Sequence, residues 1–180
     1  GIITPHEQCA VAMAHGYYAA SGRPQAVYLY STVGTANGLG GIINASRARI
    51  PMIIIAARSP ISERRGVPGS RDIHVQWSQE SFDQAAIVRE FVKWDYEIRQ
   101  PDQVASVMER AYEVALAEPC GPVYISVPRD VLAAPLVDFP ATLPAQRITA
   151  ARIIPDPSLL DVAADLIVNA RNPIIVTSEA

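Results

Sequence analysis

Three short apolar runs that do not alternate with polar residues constrain this chain more than any other feature. They are residues 26–30 (Ala-Val-Tyr-Leu-Tyr), 51–57 (Pro-Met-Ile-Ile-Ile-Ala-Ala) and 122–127 (Pro-Val-Tyr-Ile-Ser-Val). A strand with one wet face alternates; a run apolar at every position is buried on both faces, as in a parallel sheet covered by helices. Pro51 stands at the first position of its run, where a missing N–H is tolerated. Helical stretches are expected at 8–22, 35–47, 82–91 and 101–118. In the last, Val104, Val107, Met108, Ala111, Val114 and Ala115 recur at helical spacing, and Asp102 follows Pro101 where a cap belongs. The expected fold class is therefore α/β: a three-layer α/β/α arrangement with a mainly parallel sheet.

The 180 residues suffice for one domain, or one and a fraction. Basic residues number 15 against 18 acidic, and no basic run exceeds Arg64-Arg65, so nothing points to nucleic acid. Cys9 and Cys120 lie far apart and make neither a disulfide framework nor a metal spacing, which reads as a reducing, cytoplasmic setting. No segment approaches the ~20 apolar residues that cross a bilayer, and no signal peptide is visible. Strand-like Ile2-Ile3-Thr4 at the start and residues 174–177 at the end look severed, so the chain is expected to be a fragment. Residues 133–156, with Pro135, Pro140, Pro144 and Pro155, read as an extended linker. Residues 157–180 then read as a helix leading through Asn172-Pro173 into a strand, the first αβ unit of a second α/β domain.

Two stretches could carry chemistry. His6-Glu7 places an acid at the mouth of a helix, directly after the strand-like start, where open α/β sheets build their sites. A Glu there also complements the helix dipole. A zinc helix would need a histidine at position 10, which is Ala10. His15 reads as an ordinary helix residue and His74 as a loop residue. The second stretch, residues 31–41 (Ser-Thr-Val-Gly-Thr-Ala-Asn-Gly-Leu-Gly-Gly), follows a strand and opens a helix. It fails as a dinucleotide fingerprint, because Ile43 stands where the third glycine belongs and no acid follows about 20 residues on. It fails as a P-loop, because no Gly-Lys-Ser/Thr occurs. Gly38 and Gly41 suit close helix packing, whereas Gly34 and Asn37 sit at the turn as site candidates. In the polar region 58–80, Trp77-Ser78-Gln79-Glu80 brings an aromatic, an amide and a carboxylate together.

In order, His6-Glu7, Gly16-Tyr17-x-x-Ala20-x-Gly22-x-Pro24, Gly34-Thr35-Ala36-Asn37, Arg49-Ile50-Pro51-Met52-Ile53, Gln79-Glu80, Val92-Lys93-Trp94 and residues 121–130 (Gly-Pro-Val-Tyr-Ile-Ser-Val-Pro-Arg-Asp) resemble the pyrimidine-binding N-terminal domain of thiamine-diphosphate-dependent enzymes. The resemblance is to acetolactate synthases and benzoylformate decarboxylases, and it covers about residues 1–131. It divides the chain into an N-terminally truncated pyrimidine-binding domain (1–132), a linker (133–156) and the start of a central domain (157–180). Two departures concern the substrate: many synthases carry Ser-Gly-Pro-Gly where this chain has Ser31-Thr32-Val33-Gly34, and benzoylformate decarboxylase has a histidine aligned with Tyr30.

The resemblance implies a 2-oxoacid decarboxylase or carboligase that binds thiamine diphosphate. Glu7, the catalytic residue, would hydrogen-bond the cofactor's aminopyrimidine nitrogen, its pKa raised in an apolar pocket. Gly34 and Asn37 would shape the cofactor site with it, while Tyr30, Gln79 and Glu80 would lie on the substrate side. The family holds Mg2+ and diphosphate through a Gly-Asp-Gly motif in a C-terminal domain, and no Gly-Asp-Gly occurs here, so no metal ligand is assigned to this chain. FAD, as in the synthases, would sit largely in the central domain. The active site would lie at the subunit interface of a homodimer or homotetramer, and this chain alone would be an inactive half-site. The alternative is a non-catalytic domain whose partner chain supplies the diphosphate site.

Overall fold

The computed structural model describes residues 1–136 and 154–176, and the chain divides into two units, Gly1–Ala150 and Ala151–Ala180. In the first, four parallel strands form one sheet: β1 (Gln25–Leu29), β2 (Met52–Arg58), β3 (Asp95–Glu97) and β4 (Val123–Pro128), in the order β1-β2-β4-β3. Tyr28 pairs with Ile55, Ile55 with Ile125, and Ile125 with Tyr96, so one register line runs across all four. The helices are α1 (Glu7–Ser21), α2 (Thr32–Arg47), a short α3 (Val75–Ser78), α4 (Val104–Leu116) and α5 (Arg129–Ala133); α6 (Pro157–Asn169) belongs to the second unit.

Both faces of the two central strands, β2 and β4, are covered, which is why they read as near-continuous apolar runs. On one face Met52, Ile54, Ala56 and Tyr124 pack with Val11 of α1 and Ile42 and Ala45 of α2. On the other, Ile53, Val123, Ile125 and Val127 pack with Val107, Ala111 and Ala115 of α4. The three-layer α/β/α expectation holds, and the helical stripe read over 101–118 is the one that α4 buries. The three apolar runs fall within one residue of β1, β2 and β4.

Several local expectations fail for identifiable reasons. Residues 2–4 form no strand; Ile2 and Ile3 stand exposed and line a hollow together with residues 25–28 of β1. Residues 82–91 form two 3-10 turns, Ala85–Ile87 and Arg89–Phe91, instead of an α-helix. There the Asp83 side chain accepts from Ala86 N (3.2 Å) and Gln84 is drawn into the core. Asp102 makes no capping hydrogen bond; it lies within the 3-10 turn Pro101–Gln103 that leads into α4. The edge strand β3 is only three residues long and carries no apolar run, so it was missed. The linker expected over 133–156 falls mostly on residues 137–153, outside the described residues. In the second unit the helix forms, with Asp156 capping Ser158 N at 2.9 Å, but residues 173–176 carry no strand.

Packing of α1 on α2 depends on a glycine. A Cβ on Gly41 would lie 2.8 Å from Val11 Cγ1, and the Gly41 N–H donates to Gln8 Oε1 at 2.9 Å. Gly16, on α1, has nothing within 4 Å of the same position. Alanine gains about 1 kcal/mol over glycine in a helix, but overpacking costs about 1–3 kcal/mol. The two substitutions are therefore expected to have opposite signs: Gly16→Ala stabilises and Gly41→Ala destabilises, read as shifts in denaturant midpoint. Equal shifts would show that this contact does not govern the packing.

Candidate active site

All four strands end at the same edge of the sheet. From that edge leave α2 after β1, the loop 59–74 after β2, and α5 after β4. The mouth of α1 meets α2 there. His6 caps α1, its Nδ1 accepting from Gln8 N at 3.1 Å, so this histidine serves as a helix cap. Glu7 is the first helical residue, and Asn37 Nδ2 donates to Glu7 Oε2 at 3.1 Å. Gly34 lies beneath the same carboxylate: a Cβ there would sit 2.9 Å from Glu7 Oε1 and 3.1 Å from Tyr30 Cβ. Glu7 of α1, Gly34 and Asn37 of α2, and Tyr30 between β1 and α2 thus form one cluster. Gly34 and Asn37 are not in a turn before the helix; α2 begins three residues earlier than the sequence suggested and carries both. Gly38 and Gly41 pack against α1 and β1 as read, with a Gly38 Cβ position 3.2 Å from Leu29 Cδ1.

The Glu7 carboxyl is held below the ordinary carboxylate range, first by its own backbone N–H and then by the Asn37 amide, against a smaller opposing effect of burial. The resemblance had implied the opposite shift. The reason for the difference is exposure: Asn37, Tyr30 (55 % exposed) and Val33 around it are open to solvent, so desolvation is too weak to raise the value.

Gln79 reaches this cluster and Glu80 does not. Gln79 Oε1 lies 3.5 Å from Ser31 Oγ, next to Tyr30, whereas Glu80 is drawn back to Arg71 at 2.6 Å. Arg71 braces the whole segment. Its side chain is only 7 % exposed; its Nε donates to Pro60 O at 2.7 Å, and its guanidinium lies 5.6 Å from the Trp77 ring centroid. Trp77 Nε1 in turn donates to Glu63 at 3.0 Å. Asp130 accepts from Ile61 N (3.2 Å) and Ser62 N (2.9 Å), and Arg129 forks onto Asp72 at 2.7 and 3.2 Å. The region read from sequence as a long polar loop is therefore a braced shelf. Sequence carried no signal for Arg71, because its partners are scattered over 20 positions of a polar tract.

A second hollow opens beyond β2, β4 and β3, lined by Arg58, Arg89, Asp83, Asp95 and Glu97. Its charges satisfy one another: Arg58 pairs with Glu97, and Arg89 forks onto Asp83 and Asp95. Among the described residues no group of three or more His, Cys, Asp or Glu could hold a metal ion, and no helix is long and apolar enough to cross a membrane.

The amide-held carboxylate and the glycine beneath it stand at the strand-end edge, where open α/β sheets bind their ligands. Residues 2–87 match the family described as thiamine pyrophosphate enzyme, N-terminal TPP binding domain. Benzoylformate decarboxylase of Pseudomonas aeruginosa is 31% identical over 175 residues, covering 97% of this chain and 31% of that protein. The mitochondrial acetolactate synthase catalytic subunit of Saccharomyces cerevisiae is 29% identical over 181 residues, covering 97% and 25%. A crystal structure from Mycobacterium smegmatis, described as a thiamin diphosphate-dependent enzyme, superposes with a TM-score of 0.74 at 31% identity, covering 96% of this chain and 31% of that one. Residues 2–87 of this chain are thus an N-terminal TPP-binding domain of the thiamine pyrophosphate enzyme family. It spans less than a third of the length of these relatives.

The Asn37 hydrogen bond favours the charged form of Glu7, so removing it raises the pKa. Carbon NMR titration of the Glu7 carboxyl is expected to show a higher midpoint in Asn37→Ala than in the parent. The stability that this carboxylate contributes is present above the ordinary carboxylate pKa and is lost as pH falls through the lowered value. An unchanged midpoint would mean the amide does not govern it.

Proposed function

We propose that this chain is the pyrimidine side of the active site of a thiamine-diphosphate-dependent 2-oxoacid decarboxylase or carboligase, acetolactate-synthase-like in class. The observation that carries the reading is the contact of Glu7, Asn37 and Gly34 at the strand-end edge. These residues fit the group. Glu7 offers a carboxylate oxygen to a ring nitrogen, and the absent Cβ of Gly34 leaves a cradle beside it. When bound, thiamine diphosphate supplies a nucleophilic thiazolium carbon and the electron sink for loss of carbon dioxide. The chain's own contribution is to hold Glu7 at one position, through the Asn37 amide, and to exchange a proton at its carboxylate. Tyr30 and Gln79 flank the substrate side, with the braced shelf behind them. Residues 1–132 serve as the pyrimidine-binding domain and residues 157–180 open a further domain.

The openness of Asn37, Tyr30 and Val33 around the half-buried Glu7 supports a half-site that a second surface completes. That surface would be the diphosphate and magnesium region of another subunit in a homodimer or homotetramer, in the cytoplasm. Magnesium finds no donor set among the described residues and would be held by that other surface. The 180-residue chain by itself is then inactive.

In the complete polypeptide, Glu7→Gln is expected to abolish 2-oxoacid turnover or reduce it at least about 100-fold, the scale of a lost general acid–base group. Far-ultraviolet circular dichroism should stay that of the parent. Near-normal turnover in the variant would remove Glu7 from the mechanism.

A further inference from the structure

The first two turns of α2 carry Gly34 and Asn37, yet the helix start is poorly held. Ser31, the type of residue that caps helices, makes no side-chain capping bond; its hydroxyl lies toward Gln79. The hold comes instead from inside the core. Thr35 Oγ1 donates to Ser31 O at 3.1 Å and lies 2.8 Å from Tyr124 OH. Gln84 Nε2 donates to Tyr124 OH (2.8 Å) and to Ala57 O (3.0 Å), while Gln84 Oε1 accepts from Thr32 Oγ1 at 3.1 Å.

Only one proton order satisfies this network. The Ala57 carbonyl requires the Gln84 NH2 group on its side, which leaves Gln84 Oε1 to accept from Thr32. The single Thr35 proton goes to Ser31 O, so Tyr124 must donate to Thr35 and accept from Gln84. Burial raises the Tyr124 pKa, which keeps that hydroxyl protonated as a donor. Thr35 and Tyr124 are fully buried and Gln84 is 2 % exposed. Three apolar side chains would also fill this space, but they would not fix how α2 sits over β4 and β2; a fully satisfied buried polar network does.

We propose that Thr35, Tyr124 and Gln84 are positioning residues that set the first turn of α2, and with it Gly34 and Asn37, against Glu7. As a statement about catalysis this rests on the thiamine diphosphate reading above; as a statement about α2 it does not. The three residues touch neither Glu7 nor its partners directly and act through the helix.

The test uses the complete polypeptide with thiamine diphosphate and Mg2+ as the probe. Thr35→Val keeps the shape and removes the hydroxyl; Thr35→Ser keeps the hydroxyl and removes a methyl. Thr35→Val and Tyr124→Phe are expected to weaken thiamine diphosphate binding about fivefold or more, the effect of one net hydrogen bond, with Thr35→Ser restoring most of it. Hydrogen exchange should quicken in residues 31–38 while amides of β2 and β4 stay protected. If Thr35→Val binds as tightly as Thr35→Ser, or exchange rises uniformly over the sheet, the positioning role is overturned. If Tyr124→Phe fails to fold, the Thr35 pair decides. A parent protein that binds no thiamine diphosphate sinks the functional reading, and the exchange comparison still decides the network's hold on α2.

Discussion

The structure depends on how closely α1 can approach α2. Their contact is made where Gly38 and Gly41 leave no side chain against Val11 of α1, with Leu29 of β1 also beside Gly38. A Cβ at Gly41 would have to occupy space that Val11 already fills, so the helices could not keep this separation with any other residue there. The same separation fixes the upper end of the pair, where Asn37 reaches Glu7 and Gly34 admits its carboxylate. Packing and site are thus one constraint. The glycines one and two turns along α2 set the distance, and the glycine in its first turn uses it.

Most of the fold was legible because the two central strands of the sheet are buried on both faces. Runs such as Met52–Ala57 have no polar position, and that excludes a half-wet sheet without any knowledge of neighbours. The elements that escaped are those whose form is set by contacts distant in sequence. β3 exists because Asp95, Tyr96 and Glu97 find Tyr124, Ile125 and Ser126 beside them, not because three half-buried residues prefer a strand. Residues 82–91 have a helical look, but Gln84 makes better bonds to Tyr124 and Ala57 than a helix surface would offer. The tertiary bond overrides the local preference.

The site shows the same division. The contact of Glu7 with Gly34 and Asn37 was readable because Glu7 opens α1 and the other two stand in the glycine-rich start of α2. Thr35, Tyr124 and Gln84 carry no motif, since a threonine inside a helix and a tyrosine inside a strand look like ordinary core. Only the fold brings residues 35, 84 and 124 to one point. The shelf built on Arg71 is likewise invisible in sequence, because an arginine in a polar tract reads as solvated until Glu80, Pro60 and Trp77 close around it.

The electrostatic state of Glu7 follows from what surrounds it, not from its residue type. Hydrogen bonds from its own N–H and from Asn37 stabilise the anion, and with the carboxylate only partly buried desolvation offsets them too weakly to raise the value. Covering the same carboxylate with an aromatic ring and a second protein surface would add desolvation, which acts in the opposite direction. The chain therefore holds the geometry of an acid–base group but not its poise. On the reading proposed here that poise arises only when the other half of the site arrives, which couples proton exchange at Glu7 to the assembly of the site.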